Sequence, residues 1–331
     1  MRDEALWKYC TPRHCREFLL SLNLLGNTAW PEEKQISCLY AVANHVEKHY
    51  RPLTVRKRDG GIRRLKAPDP LLKTIQQNLL HRVLETQPVS ASATAYRPGS
   101  GVVKNALPHL HHRQLLKLDI QDFFSSITFL QVKERAFSDA LFPPQVGTLF
   151  TRLCCYEDYL PQGAPTSAAI SNLVLLPVDR EMERWCGERG IAYSRYCDDL
   201  AFSGEFDARQ VENKASSFLE VMGFTLNRKK TKLLSHHVRQ AVTGVVVNEK
   251  PQVSRDYRKK LRQELYYCEK YGVASHLERM TGRPAEAGAL TRYLSSLLGK
   301  INFVLLVNPQ DNWFREAAEQ VKCWNRQLKQ A

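Results

Sequence analysis

The amino-acid sequence predicts an α+β fold. Three observations carry that reading. Short apolar runs that read as strands recur between residues 51 and 203, segments with helical spacing lie between them, and beyond Lys250 the pattern is helical throughout. In the first 50 residues, Cys15–Leu25 and Ile36–Glu47 carry apolar residues at helical spacing. Arg51–Lys66 then forms two short alternating arms around Asp59-Gly60, a pattern that predicts a β-hairpin. Past Pro68 and Pro70, Leu72, Ile75, Leu79 and Val83 put one apolar face on a helix over 71–84. Leu115–Ile120 reads as a buried strand ending in an acid, with Gln121-Asp122-Phe123-Phe124 after it. Leu160–Ser167 is a loop with two prolines and a glycine. It feeds a small-residue helix, Ala168–Leu176, with Thr166 or Ser167 as the expected cap. Ile191–Tyr196 and Leu200–Ser203 are short strands joined by the tight turn Cys197-Asp198-Asp199. Val242–Val247 is a further strand-like run, and helices are expected over Arg255–Lys270, Leu290–Phe303 and Trp313–Leu328.

The chain has 331 residues, which suggests about two domains. Lys and Arg number 48 against 34 Asp and Glu, a net charge of +14, so an anionic partner is expected, nucleic acid or a membrane surface. The membrane is disfavoured. The apolar runs Ile170–Val178 and Val304–Val307 are far short of a span, and the start Met1-Arg2-Asp3-Glu4 carries acids where a signal peptide needs an apolar core. Nine cysteines without a Cys-x-x-Cys pair suit reduced thiols, and Cys10, His14 and Cys15 fall short of a zinc set.

Asp198-Asp199 alone describes a turn. Its flanking apolar strands place both carboxylates at the rim of a sheet, and Asp119 ends another strand. Three acids at strand ends in a basic protein are what two Mg²⁺ ions need, hard oxygen ligands held rigidly. Two such ions, about 3.5–4 Å apart, activate an attacking hydroxyl and stabilise a leaving phosphate. A nuclease and a polymerase both use that chemistry. The basic hairpin, with Arg51, Arg56, Lys57, Arg58, Arg63, Arg64 and Lys66, suits a triphosphate, and a bulky ring beside the metal-bearing strand can exclude a 2′-hydroxyl. A nuclease needs neither. A second basic stripe, with Arg255, Arg258, Lys259 and Arg262 on one helix face and Tyr257, Tyr266 and Tyr267 interleaved, suits RNA phosphates and bases.

Asp119 with Phe123-Phe124, Pro161–Ser167 with Ser171-Asn172, Tyr196-Cys197-Asp198-Asp199 and Gly223–Thr231 resemble, in order and spacing, the successive motifs of reverse transcriptases across roughly residues 50–250. Asn105-Ala106-Leu107-Pro108-His109 resembles the Asn-Ala-x-x-His string of bacterial retron reverse transcriptases. Val242-Thr243-Gly244 resembles their Val-Thr-Gly triplet, and Leu297–Phe303 resembles their thumb. The short stretch after the triplet also resembles retron enzymes, and no maturase or endonuclease domain is expected. The resemblance implies a right-hand polymerase. Its parts are an N-terminal helical segment (1–50), fingers and an α+β palm (51–248, fingers mainly 51–101 and 130–165) and a helical RNA-binding thumb (249–331).

It also implies roles. Asp119, Asp198 and Asp199 bind two Mg²⁺ ions and carry catalysis. Phe124 gates the sugar, Gln162 contacts the incoming nucleotide, and Arg63 and Lys66 hold its phosphates. Lys229 or Lys230 stands near the pyrophosphate. Asn105, His109, Arg255, Arg258, Lys259 and Arg262 contact RNA, with a structural pairing as the alternative for Asn105 and His109. Cys197 departs from the alanine frequent in retron enzymes, and a thiol there predicts inhibition by thiol reagents. The implied reaction is DNA synthesis from dNTPs on the enzyme's own structured non-coding RNA, from an internal guanosine 2′-hydroxyl, giving branched RNA–DNA (msDNA). It implies anti-phage defence with a separate effector, host RNase H and a bacterial cytoplasmic setting without membrane contact. The competing readings are a reverse transcriptase of the group II intron type and a non-catalytic RNA-binding scaffold on the same fold.

Overall fold

The computed structural model describes residues 9–56 and 60–330. The chain opens with helices α1 (Pro12–Ser21) and α2 (Glu32–Asn44), the hairpin β1 (Tyr50–Arg56) and β2 (Ile62–Pro68), and α3 (Pro70–Leu79). Next come α4 (Val102–Ala106), β3 (Gln114–Asp119), α5 (Phe129–Arg135), α6 (Pro144–Cys154), α7 (Ser167–Val174) and α8 (Leu176–Gly187). The hairpin β4 (Ala192–Tyr196) and β5 (Asp199–Gly204) follows, with α9 (Ala208–Val221) and β6 (Lys232–Ser235) after it. Three two-residue strands, β7 (Ala241–Val242), β8 (Val245–Val246) and β9 (Gln252–Val253), precede α10 (Arg255–Tyr271), α11 (Val273–Thr281), α12 (Ala287–Val307) and α13 (Asn312–Gln330). The Asp59 of the expected hairpin turn, Lys57 and Arg58 beside it, and the start Met1-Arg2-Asp3-Glu4 lie outside the described residues.

Packing divides the chain into two compact units, Met1–Gly101 with Leu116–Leu233, and Val102–Leu115 with Leu234–Ala331. The first unit carries the long hairpin, where Tyr50 pairs with Pro68 and Arg56 with Ile62. It also carries most of a four-stranded sheet in the order β4-β5-β3-β6, which sets β3 and β5 side by side at the centre. The inward residues of these strands, among them Leu116, Leu118, Leu200 and Phe202, join one hydrophobic core with α3, α6, α7 and α8. Phe137, Phe142 and Phe150 interlock there at ring separations of 5.5–6.0 Å. The helix expected over 71–84 is α3 continued by a single π-helical turn, Leu80–Leu84.

The cap expected for α7 is absent. Thr166 already has helical angles, so its side chain cannot reach back to the first free N–H groups, and the Ser167 hydroxyl donates instead to the Pro161 carbonyl at 2.6 Å.

In the second unit the strand expected over Val242–Val247 is broken. Thr243 (φ +49°) and Gly244 (φ +85°) are left-handed and turn the chain between β7 and β8. Apolar patterning continues through that turn, so it did not signal the reversal. Helix α12 is long and apolar enough to cross a membrane by length and composition, a property the shorter apolar runs did not reveal. Its Leu290, Leu294, Leu297, Ile301, Val304 and Val307 fall on one face and are buried within this unit, where α12 packs against α13 and α10.

His109 is 0% exposed in the second unit, and burial, with His112 adding repulsion, pushes its pKa down to about 4. The folded state therefore holds the neutral ring, while the unfolded chain takes up a proton near pH 6.5. The stability from a neutral His109 is full above that value and is lost as pH falls toward 4. Denaturant unfolding should weaken by up to about 3 kcal/mol over this window, and His109→Gln should flatten the profile. An unchanged slope in the variant would exclude His109 as its source.

Candidate active site

The ends of β3 and β5 meet through backbone bonds that the sheet alone does not supply. The Ile120 N–H donates to the Asp198 carbonyl at 3.0 Å, the Gln121 N–H to the Thr225 carbonyl at 2.9 Å, and the Asn227 N–H to the Asp119 carbonyl at 2.7 Å. Three segments distant in sequence are thereby pinned together. In the β4–β5 hairpin Tyr196 pairs with Asp199, so Cys197 and Asp198 form the two-residue turn between them. Asp119, Asp198 and Asp199 open onto one cleft of about 1150 Å³ within the first unit. Arg63, Lys66, Phe124, Gln162, Lys229 and Lys230 line the same cleft. All nine residues assigned to catalysis and nucleotide binding from the sequence are thus brought together.

Loss of water within the cleft raises the Asp198 and Asp199 carboxyls above the ordinary aspartate value, and repulsion from neighbouring acids adds to it. The Lys230 ammonium donates to Asp119 Oδ2 at 2.8 Å, and that bond raises the lysine's pKa. Of the two candidate lysines, Lys230 is the one that meets an acid of the cleft. Three carboxylates with an ammonium already drawn to one of them form a donor set that fits a hard divalent cation. As they stand, among the described residues, no group of three or more His, Cys, Asp or Glu side chains is gathered closely enough to hold an ion.

Lys66 is half-buried. Its ammonium donates to the Tyr156 hydroxyl at 2.9 Å and lies 4.2 Å from that ring's centre. Its backbone N–H donates to the Gln162 carbonyl at 2.9 Å, which ties β2 to the loop before α7. Gly163 makes this approach possible. A Cβ there would stand 2.8 Å from the Lys66 carbonyl oxygen, and φ is +125°. Phe124 packs against Phe123 at 5.3 Å and keeps part of its ring toward the cleft.

Sequence reasoning missed the group that holds the turn. Arg195 on β4 is 1% exposed, and Asp179 on α8 is 0% exposed. The guanidinium donates to both Asp179 oxygens, at 2.8 and 2.6 Å, to Asn172 Oδ1 at 3.1 Å and to the Cys197 carbonyl at 3.0 Å. Tyr193 donates to Asp179 Oδ1 at 2.8 Å. Cys197 has φ +62°, an uncommon conformation for a non-glycine residue, and the Arg195 bond to its carbonyl secures it. The available signals were a charge facing inward on an apolar strand and an acid three and seven residues before the buried Met182 and Cys186.

Three expectations need correction. Cys197 is 6% exposed, and burial first, then Asp198, pushes its pKa up to about 12, so it offers no reactive thiolate. Asn105 and His109 are buried inside the second unit and have no surface to offer RNA. Asn105 Nδ2 donates to Thr243 Oγ1 at 3.5 Å, and the Thr243 hydroxyl donates to the Val102 carbonyl at 3.0 Å, so the two distinctive strings pack on each other. Tyr257 is a packing residue, edge-on to Phe303 at 5.9 Å. Of the basic face on α10, Arg255, Lys259 and Arg262 are exposed, with the Arg262 guanidinium 4.9 Å from the Trp313 ring centre. Arg258 is half-buried and donates to Gln252 Oε1 at 3.3 Å.

The family model for reverse transcriptase (RNA-dependent DNA polymerase) matches residues 55–257. Retron Mx65 reverse transcriptase of Myxococcus xanthus is 34% identical over 272 residues, 73% of this chain and 64% of that protein. Retron Ec86 reverse transcriptase of Escherichia coli is 31% identical over 242 residues, 70% of this chain and 74% of that protein. The chain thus spans a little under two thirds of the first relative's length. Among solved structures, apo telomerase from Candida tropicalis aligns with a TM-score of 0.50 and 11% identity, over 84% of this chain and 58% of that one. At that identity the likeness shows the fold alone.

Arg195→Met should destabilise the protein by about 3–5 kcal/mol, since it leaves Asp179 buried without its cation. Thermal or denaturant unfolding measures this, and a loss below 1 kcal/mol would contradict the clamp.

Proposed function

The chain belongs to the reverse transcriptase family and has the right-hand polymerase fold, and from that premise we propose that it is an RNA-directed DNA polymerase of the retron type. One observation carries the catalytic reading. Asp119, Asp198 and Asp199 stand at the ends of adjoining strands and share a cleft with Arg63, Lys66, Gln162 and Phe124. A scaffold freed from catalysis has no physical need for three carboxylates crowded so that the charges of Asp119 and Asp198 add to the raised pKa of Asp198 and Asp199.

Two Mg²⁺ ions held by the three acids would supply activation of the attacking hydroxyl and neutralisation of the leaving phosphate. The chain's own groups do the rest. Arg63 and Lys66 hold the triphosphate, with Lys66 steadied by Tyr156, and Gln162 contacts the nucleotide from the loop bonded to β2. On this reading the Phe124 ring, which lines the cleft, excludes a 2′-hydroxyl. Lys230, rather than Lys229, faces the departing pyrophosphate, because it is the lysine drawn to the acids. In subdomain terms, residues 51–101 and 130–165 serve mainly as fingers, the rest of 51–248 as palm and 249–331 as thumb.

The retron assignment rests on the named relatives and on the packing of Asn105 against Thr243, which joins the two retron-like strings. On this reading the partner is the chain's own structured non-coding RNA, gripped by Arg255, Lys259 and Arg262. Synthesis starts from an internal guanosine 2′-hydroxyl and gives branched msDNA in the bacterial cytoplasm. A host RNase H trims the hybrid, and a separate effector turns the complex to anti-phage defence.

Nucleic acid co-purifying from cells that carry the native locus tests this. A discrete DNA is expected that shortens with RNase, vanishes with DNase and is missing from Asp198→Asn/Asp199→Asn. RNA alone in both samples would favour the scaffold. In single-nucleotide incorporation, Phe124→Ala should raise use of ribonucleotides relative to deoxynucleotides by about tenfold or more. An unchanged ratio would remove Phe124 from sugar selection.

A further inference from the structure

One wall of the cleft has no role in the reaction just described. The acids stand at the ends of the central strands β3 and β5. Lys230 comes from the segment that leads into β6, at one edge of the sheet. At the other edge, residues 92–94 run parallel along β4. The Arg195 N–H donates to the Ser92 carbonyl at 2.8 Å, and the Thr94 N–H donates to the Arg195 carbonyl at 2.9 Å. This added strand leads into Tyr96, which lines the cleft.

Tyr96 is held there against its own backbone preference. Its φ is +57°, a conformation that costs a bulky residue about 1–3 kcal/mol. The preceding Ala95 is buried, and its carbonyl accepts from Asn172 Nδ2 at 2.9 Å, the same asparagine that Arg195 grips. The Tyr96 side chain is 52% exposed. Its ring centre lies 6.3 Å from that of Tyr196, and its hydroxyl hydrogen-bonds with the Cys197 thiol. A large ring fixed in a strained conformation and left half in solvent does not serve packing.

We propose that Tyr96 contacts the nucleotide bearing the attacking hydroxyl, forming with Tyr196 a two-ring wall that receives the end of the growing strand. The inference rests on the polymerase reading of the cleft. Phosphoryl transfer sets the attacking and leaving oxygens roughly in line. Lys230 marks the leaving side by charge, so the attacking strand end enters from the β4 edge, where the cleft offers rings. Aromatic faces hold nucleotides of any sequence by stacking, which suits a site that every newly added nucleotide must occupy.

The test uses a DNA primer annealed to an RNA template, with KM for primer–template, KM for dNTP and kcat measured separately. Tyr96→Gly removes the ring, and glycine accepts φ near +57° without strain, so the fold is preserved. Tyr96→Phe keeps the ring and loses the hydroxyl. Tyr96→Gly should raise KM for primer–template at least about fivefold, with KM for dNTP within about twofold of wild type and the melting temperature unchanged. Tyr96→Phe should behave as wild type. The inference fails if Tyr96→Gly leaves the primer–template KM unchanged, if the dNTP KM rises instead, or if Tyr96→Phe is as impaired as Tyr96→Gly. Failure of the wild type to extend any primer would overturn the polymerase reading itself, a result distinct from an active wild type matched by Tyr96→Gly.

Discussion

The first unit is organised around a guanidinium sealed from water. Arg195 and Asp179 neutralise each other in the interior, at separations down to 2.6 Å. Such a pair contributes little net stability over an apolar pair of the same shape, because both charges lose their hydration. What an apolar pair cannot provide is direction. The planar guanidinium bonds to α8 through Asp179, to α7 through Asn172, and to the β4–β5 turn through the Cys197 carbonyl. The position of the turn is thereby referred to two helices rather than to the hairpin alone. A tight turn between two short strands has little rigidity of its own, and this one carries Asp198 and leads directly into Asp199.

The charge distribution follows an opposite logic at the surface and in the cleft. The chain as a whole carries +14, which draws a polyanion at long range. Within the cleft, acids crowd one another, and their local field is offset by Lys230 and, at Asp199, by Lys117. A polyanion attracted to the protein therefore meets a local cluster of acids within the cleft. Elsewhere in the cleft, Arg63, Arg64 and Lys66 keep the field favourable to phosphate.

Much of this was legible in the chain. The hairpin 50–68, the strands around Asp198 and the helices beyond 254 announce themselves by period, and the three acids stand at strand ends because strands read clearly there. Interactions that cross the chain were not legible. Arg195 meets a carboxylate 16 residues back and an amide 23 residues back, and neither distance follows a local period. The Val242–Val247 run hid a reversal because the residues on both sides of Thr243 and Gly244 remain apolar and buried. Asn105 and His109 are expected to contact RNA because they match the Asn-Ala-x-x-His string, and both are buried instead. Asn105 meets a threonine 138 positions away, which local patterning cannot show.

That last separation has a consequence in time. Residues 102–115 belong by packing with the C-terminal unit, yet they are synthesised ahead of half of the first unit. On a ribosome adding about 5–20 residues per second, Asn105 waits roughly 7–30 s for Thr243 to be made. During that interval the first unit must close around β3 while the segment just before this strand has no partner to fold against. The order of synthesis and the order of packing are therefore at odds within this chain. The stretch from Val102 to Leu115 is made well before Thr243 and the other later residues it packs with.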